Sequence, residues 1–171
     1  PGAGRHALLV RPLDRFVETL EQRLATPGRA PSDVVVVGGG AGGFELALAL
    51  RFRLSGAARI HLIAGDSALL AAHPAGVRRR ARRALRRREV VVHEDRCIEI
   101  GACDIALASG SRVACDLAIV ATGSAAPQWL RGSGLALDPD GCIATGATLQ
   151  SLSHETVFAA GDVATRVDAP R

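Results

Sequence analysis

The stretch VVVVGGGAGGFELALAL, residues 34–50, constrains the fold more than any other part of the chain. Four valines in a row read as a strand, apolar on both sides and so covered on both faces of a parallel sheet. A run of glycines broken by one alanine follows, a segment that can turn tightly and let other backbone come close. The alanine- and leucine-rich residues beyond it read as a helix over 43–55. Gly38, Gly40 and Gly43 satisfy G-x-G-x-x-G directly after a strand and at the opening of a helix. In that pattern the first glycine permits the turn, the second lets backbone approach a pyrophosphate, and the third lets helix pack against strand. Ala41, Gly42 and Gly43 then offer helix N-terminal N–H groups and a partial positive charge to an anion. The expectation is a dinucleotide whose pyrophosphate lies against Gly40–Gly43. A purely structural glycine turn is the alternative reading.

The pattern continues along the chain. Residues 14–25 place Phe16, Val17, Leu20 and Leu24 on one helical face, and TPGRAPS (26–32) ends that helix. RIHLIA (59–64) reads as a second strand, 76–89 as a helix with Val77, Ala81, Ala84 and Leu85 on one stripe, and 89–93 as a third strand. From residue 96 the period changes to two: CIEI, DIALA and RVAC are short alternating runs separated by Gly-Ala and Ser-Gly-Ser turns. LAIVA (117–121) is again solidly apolar and rejoins the sheet. The predicted class is α/β: a Rossmann-like parallel sheet with crossover helices and a three-stranded antiparallel β-meander over 96–115 covering one face. The predicted organisation is an N-terminal connector and helix (1–32), a nucleotide-binding domain (33–126) and an irregular return segment (127–171).

Composition narrows the function classes. All 21 basic residues are arginine, and eight of them lie between Arg78 and Arg88. The remaining 13 arginines face 17 acidic residues, so the rest of the chain is net −4 and the net charge of +4 belongs to one helix. That helix could neutralise nucleic-acid phosphates, but aromatics are 3% of the chain and tyrosine is absent, which leaves few stacking platforms. Its apolar stripe indicates packing on a sheet with a solvated arginine face, so no nucleic-acid partner is expected. Cys97, Cys103, Cys115 and Cys142 form no C-x-x-C and read as small buried hydrophobes, with no metal expected. The five histidines stand singly in sequence, and no nucleophile–base set is legible, so no catalytic side chain is assigned. No run reaches the roughly 18 apolar residues of a membrane-spanning helix. The chain lacks methionine and begins Pro1-Gly2, the start of a processed chain or a piece of a longer one, with a cytoplasmic setting expected.

An acidic residue about 20 positions beyond the glycine motif, at the end of the second strand, ordinarily accepts from the adenosine ribose. That position falls near Ala64; Asp66, two residues on, is the candidate, and a plain turn aspartate is the alternative. No arginine follows it immediately to meet a 2′-phosphate, so NADH is favoured over NADPH.

VVVVGGGAGGFELALAL, LAIVATGSAAP and TVFAAGDVA, in that order, resemble the pyridine nucleotide-disulfide oxidoreductase family of two-dinucleotide flavoproteins. The resemblance covers residues 33–164. The form G-x-G-x-x-G-x-E, with Glu45 after Gly43, is similar to the family's NAD(P)H domain. It implies that Glu45 lies near the nicotinamide, that Thr122 and Gly123 border the cofactor, and that Gly161 and Asp162 belong to a flavin-binding segment whose Asp meets a ribityl hydroxyl. A first-turn glutamate complementing the helix dipole is the alternative for Glu45. The implied activity is hydride transfer from NAD(P)H to FAD, the flavin being held by an FAD domain of the same polypeptide whose own glycine motif does not occur before Val34. Residues 6–24 resemble the connector of NADH dehydrogenase-like members, including those fused to selenide, water dikinase. Rival readings are a non-catalytic nucleotide-binding module, a protein binding S-adenosylmethionine and an arginine-rich nucleic-acid-binding protein.

Overall fold

The valine run forms β2 (Asp33–Val37), and all five of its residues are buried. A computed structural model describes residues 1–25, 30–123 and 126–169; residues 26–29, where the sequence predicts the end of the first helix, and residues 124–125 of LAIVATGSAAP lie outside the described residues. The chain divides into two compact units, Pro1–Gly123 and Ser124–Arg171.

In the first unit, β2 is the central strand of a five-stranded parallel sheet. The other strands are β1 (Ala7–Leu9), β3 (Arg59–Ile63), β4 (Val91–His93) and β8 (Leu117–Val120), in the order β1-β8-β2-β3-β4. The helices are α1 (Ala3–His6), α2 (Leu13–Ala25), α3 (Ala41–Arg53) and α4 (Ala75–Arg87). The two faces of the sheet are read directly from alternate residues. Val34, Val36, Ile60, Leu62, Leu117 and Ile119 pack with Phe16 of α2, Ala47 and Leu50 of α3, and Ala81 and Leu85 of α4. Val35, Val37, Ile63 and Ala118 turn to the other face. They pack there against the antiparallel meander β5 (Cys97–Ile100), β6 (Asp104–Leu107) and β7 (Arg112–Ala114), through Ile100, Ile105, Leu107 and Val113. Both faces are therefore dry, which is why the strands carry no alternation of their own. Each fully buried aliphatic side chain contributes about 1.5–3 kcal/mol over its exposed state.

The fold class and the meander stand as expected, with β2 at the centre. Several details differ. The segment read as a connector contributes β1, which pairs in parallel with β8, Ala7 opposite Ala118. Helix α3 begins at Ala41 rather than at residue 43, because Gly40 is extended (φ −78°, ψ −178°) and caps it there. The third strand begins at Val91 because Glu89 adopts φ 55° as α4 ends. In α2 Phe16 is buried, but Val17 is exposed and lies off the packed face. Cys115 and Cys142 are buried and Cys97 is half-buried, whereas Cys103 is exposed.

The second unit is built round a short parallel pair, β9 (Ile143–Thr145) with β10 (Ala164–Arg166). Leu130, Ile143, Ala159 and Ala164 make its small core. A 3-10 turn at Gly161–Val163 leads into β10.

Candidate functional site

The turn from β2 to α3 shows what each glycine does. Gly38 has φ +143°, and a Cβ there would lie 2.6 Å from the carbonyl oxygen of Ala121. A Cβ on Gly43 would lie 1.9 Å from the Gly38 oxygen, so the first turn of α3 seats directly on the start of the loop. Gly39 is also pinned, its Cβ position 2.3 Å from the oxygen of Ala64. Gly40 and Gly42 are different: a Cβ at either would meet nothing within 4 Å. Gly40 therefore keeps space open rather than relieving a clash.

That space is a cleft of about 320 Å³ at the C-terminal ends of the strands, at the lower end of the roughly 300–1,000 Å³ of small-molecule sites. Gly38, Gly39 and Gly40 form its floor. Ala64 and Gly65 with Arg96 and Cys97 form one wall, and Ala121, Thr122 and Gly123 form the other. It stands where β3 lies to one side of β2 and β8 to the other, the switch point at which parallel sheets receive ligands. The N–H of Phe44 makes the first bond of α3, to the oxygen of Gly40. No side chain caps the helix, so the earlier N–H groups face the cleft end without an internal partner. The donors, the dipole and the open space at Gly40 together fit a bound pyrophosphate.

Of the sequence-derived site residues, Gly38, Gly40, Thr122 and Gly123 line this cleft together, and Ala41, Gly42 and Gly43 form the helix turn behind it. Glu45 is exposed on α3. Because the helix starts at Ala41, Glu45 lies beyond the first turn, where the dipole effect has fallen off. Asp66 is not part of the lining. Its carboxylate pairs with the Arg96 guanidinium at 3.0 Å, and both side chains are mostly exposed. Gly161, with φ +77°, and Asp162 belong to the second unit, where the Asp162 carbonyl accepts from the thiol of Cys142 at 3.6 Å.

Two groups escaped sequence reasoning. Arg96 is the one charged residue lining the cleft among the described residues. Its own N–H donates to the Asp95 carboxylate (2.7 Å), and the Asp95 carbonyl accepts from the N–H of Gly65 (3.1 Å). Hydrogen bonds, Ser109's first among them, hold the Asp95 carboxyl below the usual range. Burial pushes the neighbouring Cys97 thiol up, so this cleft cysteine is a neutral wall residue at pH 7. The second group corrects the reading of isolated histidines. His61 Nδ1 lies 3.0 Å from His93 Nε2, and His61 Nε2 lies 3.4 Å from Asp33 Oδ1. Asp33 also accepts a bidentate pair from Arg59 at 2.7 and 2.8 Å, and that hydrogen bonding holds its carboxyl well below the ordinary value.

A larger hollow, about 730 Å³, surrounds Ser32 and Asp116 at the other end of the sheet. There the Asp116 carboxylate is engaged by the N–H groups of Ser32 (2.8 Å) and Asp33 (3.0 Å), which fixes the entry to β2. Among the described residues no cluster of three His, Cys, Asp or Glu could hold a metal ion, and no helix is long and apolar enough to cross a membrane.

A model of the family described as pyridine nucleotide-disulphide oxidoreductase matches residues 3–170. The chain is 29% identical over 176 residues to demethylphylloquinone reductase NdbB of Synechocystis sp., covering 99% of this chain and 43% of that protein. Among solved structures it is similar to NDH2 from Plasmodium falciparum in complex with NADH (TM-score 0.77, 16% identity, 96% of this chain and 41% of that one). It is also similar to reduced CoADR-RHD of Bacillus anthracis (TM-score 0.78, 22% identity, 96% and 29%). The chain thus spans less than half the length of these relatives. With the family match running over nearly its whole length, the chain belongs to the pyridine nucleotide-disulphide oxidoreductase family.

Proposed function

We propose that this chain binds a nicotinamide dinucleotide in the cleft at Gly38–Gly43 and positions it for hydride transfer to an FAD held by another part of the same polypeptide. One observation carries the reading: the uncapped N-terminus of α3 opens into space that Gly40 leaves empty, at the switch point of the sheet. The pyrophosphate would rest on the N–H groups of Ala41, Gly42 and Gly43. The loop Ala121–Gly123, held by the N–H of Ala121 on the Val37 carbonyl at 2.8 Å, would border the cofactor on the β8 side. The cofactors supply the hydride chemistry; the chain's work is orientation and exclusion of water. Glu45 is assigned to the nicotinamide end and the Gly161–Asp162 turn to the flavin ribityl chain, both from the family resemblance. The relatives, a demethylphylloquinone reductase and NDH2 in complex with NADH, support a nicotinamide-dependent reductase.

Gly40→Val tests the reading cleanly. Gly40 has a φ open to any residue and a free Cβ direction, so the variant should keep the wild-type circular dichroism spectrum. Its side chain would fill the pyrophosphate position. Calorimetry with NADH and NADPH should show binding to the wild type and loss in the variant; equal affinities for the two proteins would place the nucleotide elsewhere.

A further inference from the structure

We propose that Arg96 receives the 2′-phosphate of the dinucleotide and makes the cleft selective for NADP(H). This rests on the nucleotide reading above. With the pyrophosphate on the α3 N-terminus, the adenosine ribose lies over the end of β3. That strand ends at Ile63 and runs into Ala64 and Gly65, which bring no carboxylate to accept from ribose hydroxyls. Instead the wall at this point carries the Arg96 guanidinium, brought from the loop between β4 and β5. A guanidinium at the ribose position, balanced only by the exposed carboxylate of Asp66, suits an esterified 2′-hydroxyl better than a free one.

Arg96 is also placed firmly enough to serve. The Arg96 N–H donates to the Asp95 carboxylate, which the N–H of Ser109 also holds at 3.2 Å, and the Asp95 carbonyl accepts from the N–H of Gly65. The planar fork of an arginine matches a phosphate bidentately. Its present partner is no obstacle: Asp66 is about two-thirds exposed, and such surface pairs are weak, so a phosphate dianion displaces the carboxylate. Asp66 then acts as a brake on the preference rather than as the ribose ligand that its sequence position suggests.

The test uses only the adenosine half, so it does not depend on a flavin domain. Binding of 2′,5′-ADP and 5′-AMP to the 171-residue chain is measured by calorimetry. The wild type should prefer 2′,5′-ADP by about tenfold or more, the scale of one charge-assisted contact. Arg96→Gln should bring the two affinities together, and Asp66→Asn should widen the gap. Equal wild-type affinities, a preference that survives in Arg96→Gln, or a gap narrowed by Asp66→Asn would overturn the proposal while leaving the nucleotide reading intact. A folded chain that binds neither compound would overturn both.

Discussion

His93 shows how one half-buried side chain can set a pH dependence that no sequence pattern announces. Its ring stacks on that of His61 with centroids 5.3 Å apart. His93 Nε2 and His61 Nδ1 share one hydrogen bond and His61 Nε2 lies against Asp33, with donor and acceptor roles following the tautomer. Burial, and secondarily the charge of His61, push the His93 pKa down against a smaller opposing pull from Asp95. The folded state therefore favours neutral His93, and the unfolded chain takes up more protons below about pH 6.5. Stability should fall as pH drops from there through the lower folded-state pKa, and this contribution should level off below it. Urea midpoints at pH 7.5 and 5.5 should show a smaller acid loss in His93→Gln than in the wild type; parallel losses would remove His93 as the cause. The glycine motif was legible because its residues are contiguous. Asp33, His61 and His93 were not, since 28 and 32 residues separate them and only strand register brings them together. Arg96 escaped for the same reason: the sequence search looked just past β3, whereas this arginine reaches the cleft wall from the loop after β4.

At the scale of elements, α4 separates packing from charge. Leu85 is fully buried and Ala81 nearly so, while the surrounding arginines cover the outer face and Arg82 pairs with Glu94. Leu85→Ala should cost about 2–5 kcal/mol of unfolding free energy. Arg83→Ala, at an exposed position on the same helix, should change it by no more than about 0.5 kcal/mol. Urea titration of the two variants checks this, and comparable losses would mean that the arginine face is packed rather than solvated. The stripe was readable because it recurs over more than two helical turns, from Val77 to Leu85, although Val77 at its first turn is substantially exposed. The uniformly apolar strands were readable because two covering layers leave no polar face. Three-residue β1 was not: ALL carries no period, Ala7 and Leu8 are only partly buried and Leu9 is exposed, and its partner β8 lies far along the chain.

At the scale of the whole molecule, two dinucleotides require two pyrophosphate cradles. Gly38–Gly43 is the one strand–glycine–helix unit among the described residues, and the proposed function assigns it to the nicotinamide cofactor. The proposed function assigns to a flavin the short turn at Gly161–Val163, whose exposed Asp162 is a single carboxylate on a 3-10 turn with no long helix behind it. One hydrogen bond to a charged group contributes about 1.5–3 kcal/mol, whereas micromolar affinity needs about 8 kcal/mol. The purified 171-residue chain should therefore be colourless and without NADH oxidase activity, even where it binds the nicotinamide dinucleotide. A longer polypeptide adding a second strand–glycine–helix unit should be yellow. An absorbance spectrum decides the matter: a flavin band at near-stoichiometric occupancy in the 171-residue chain would mean that the FAD cradle lies within it, and that the cleft at Gly40 is the first place to look.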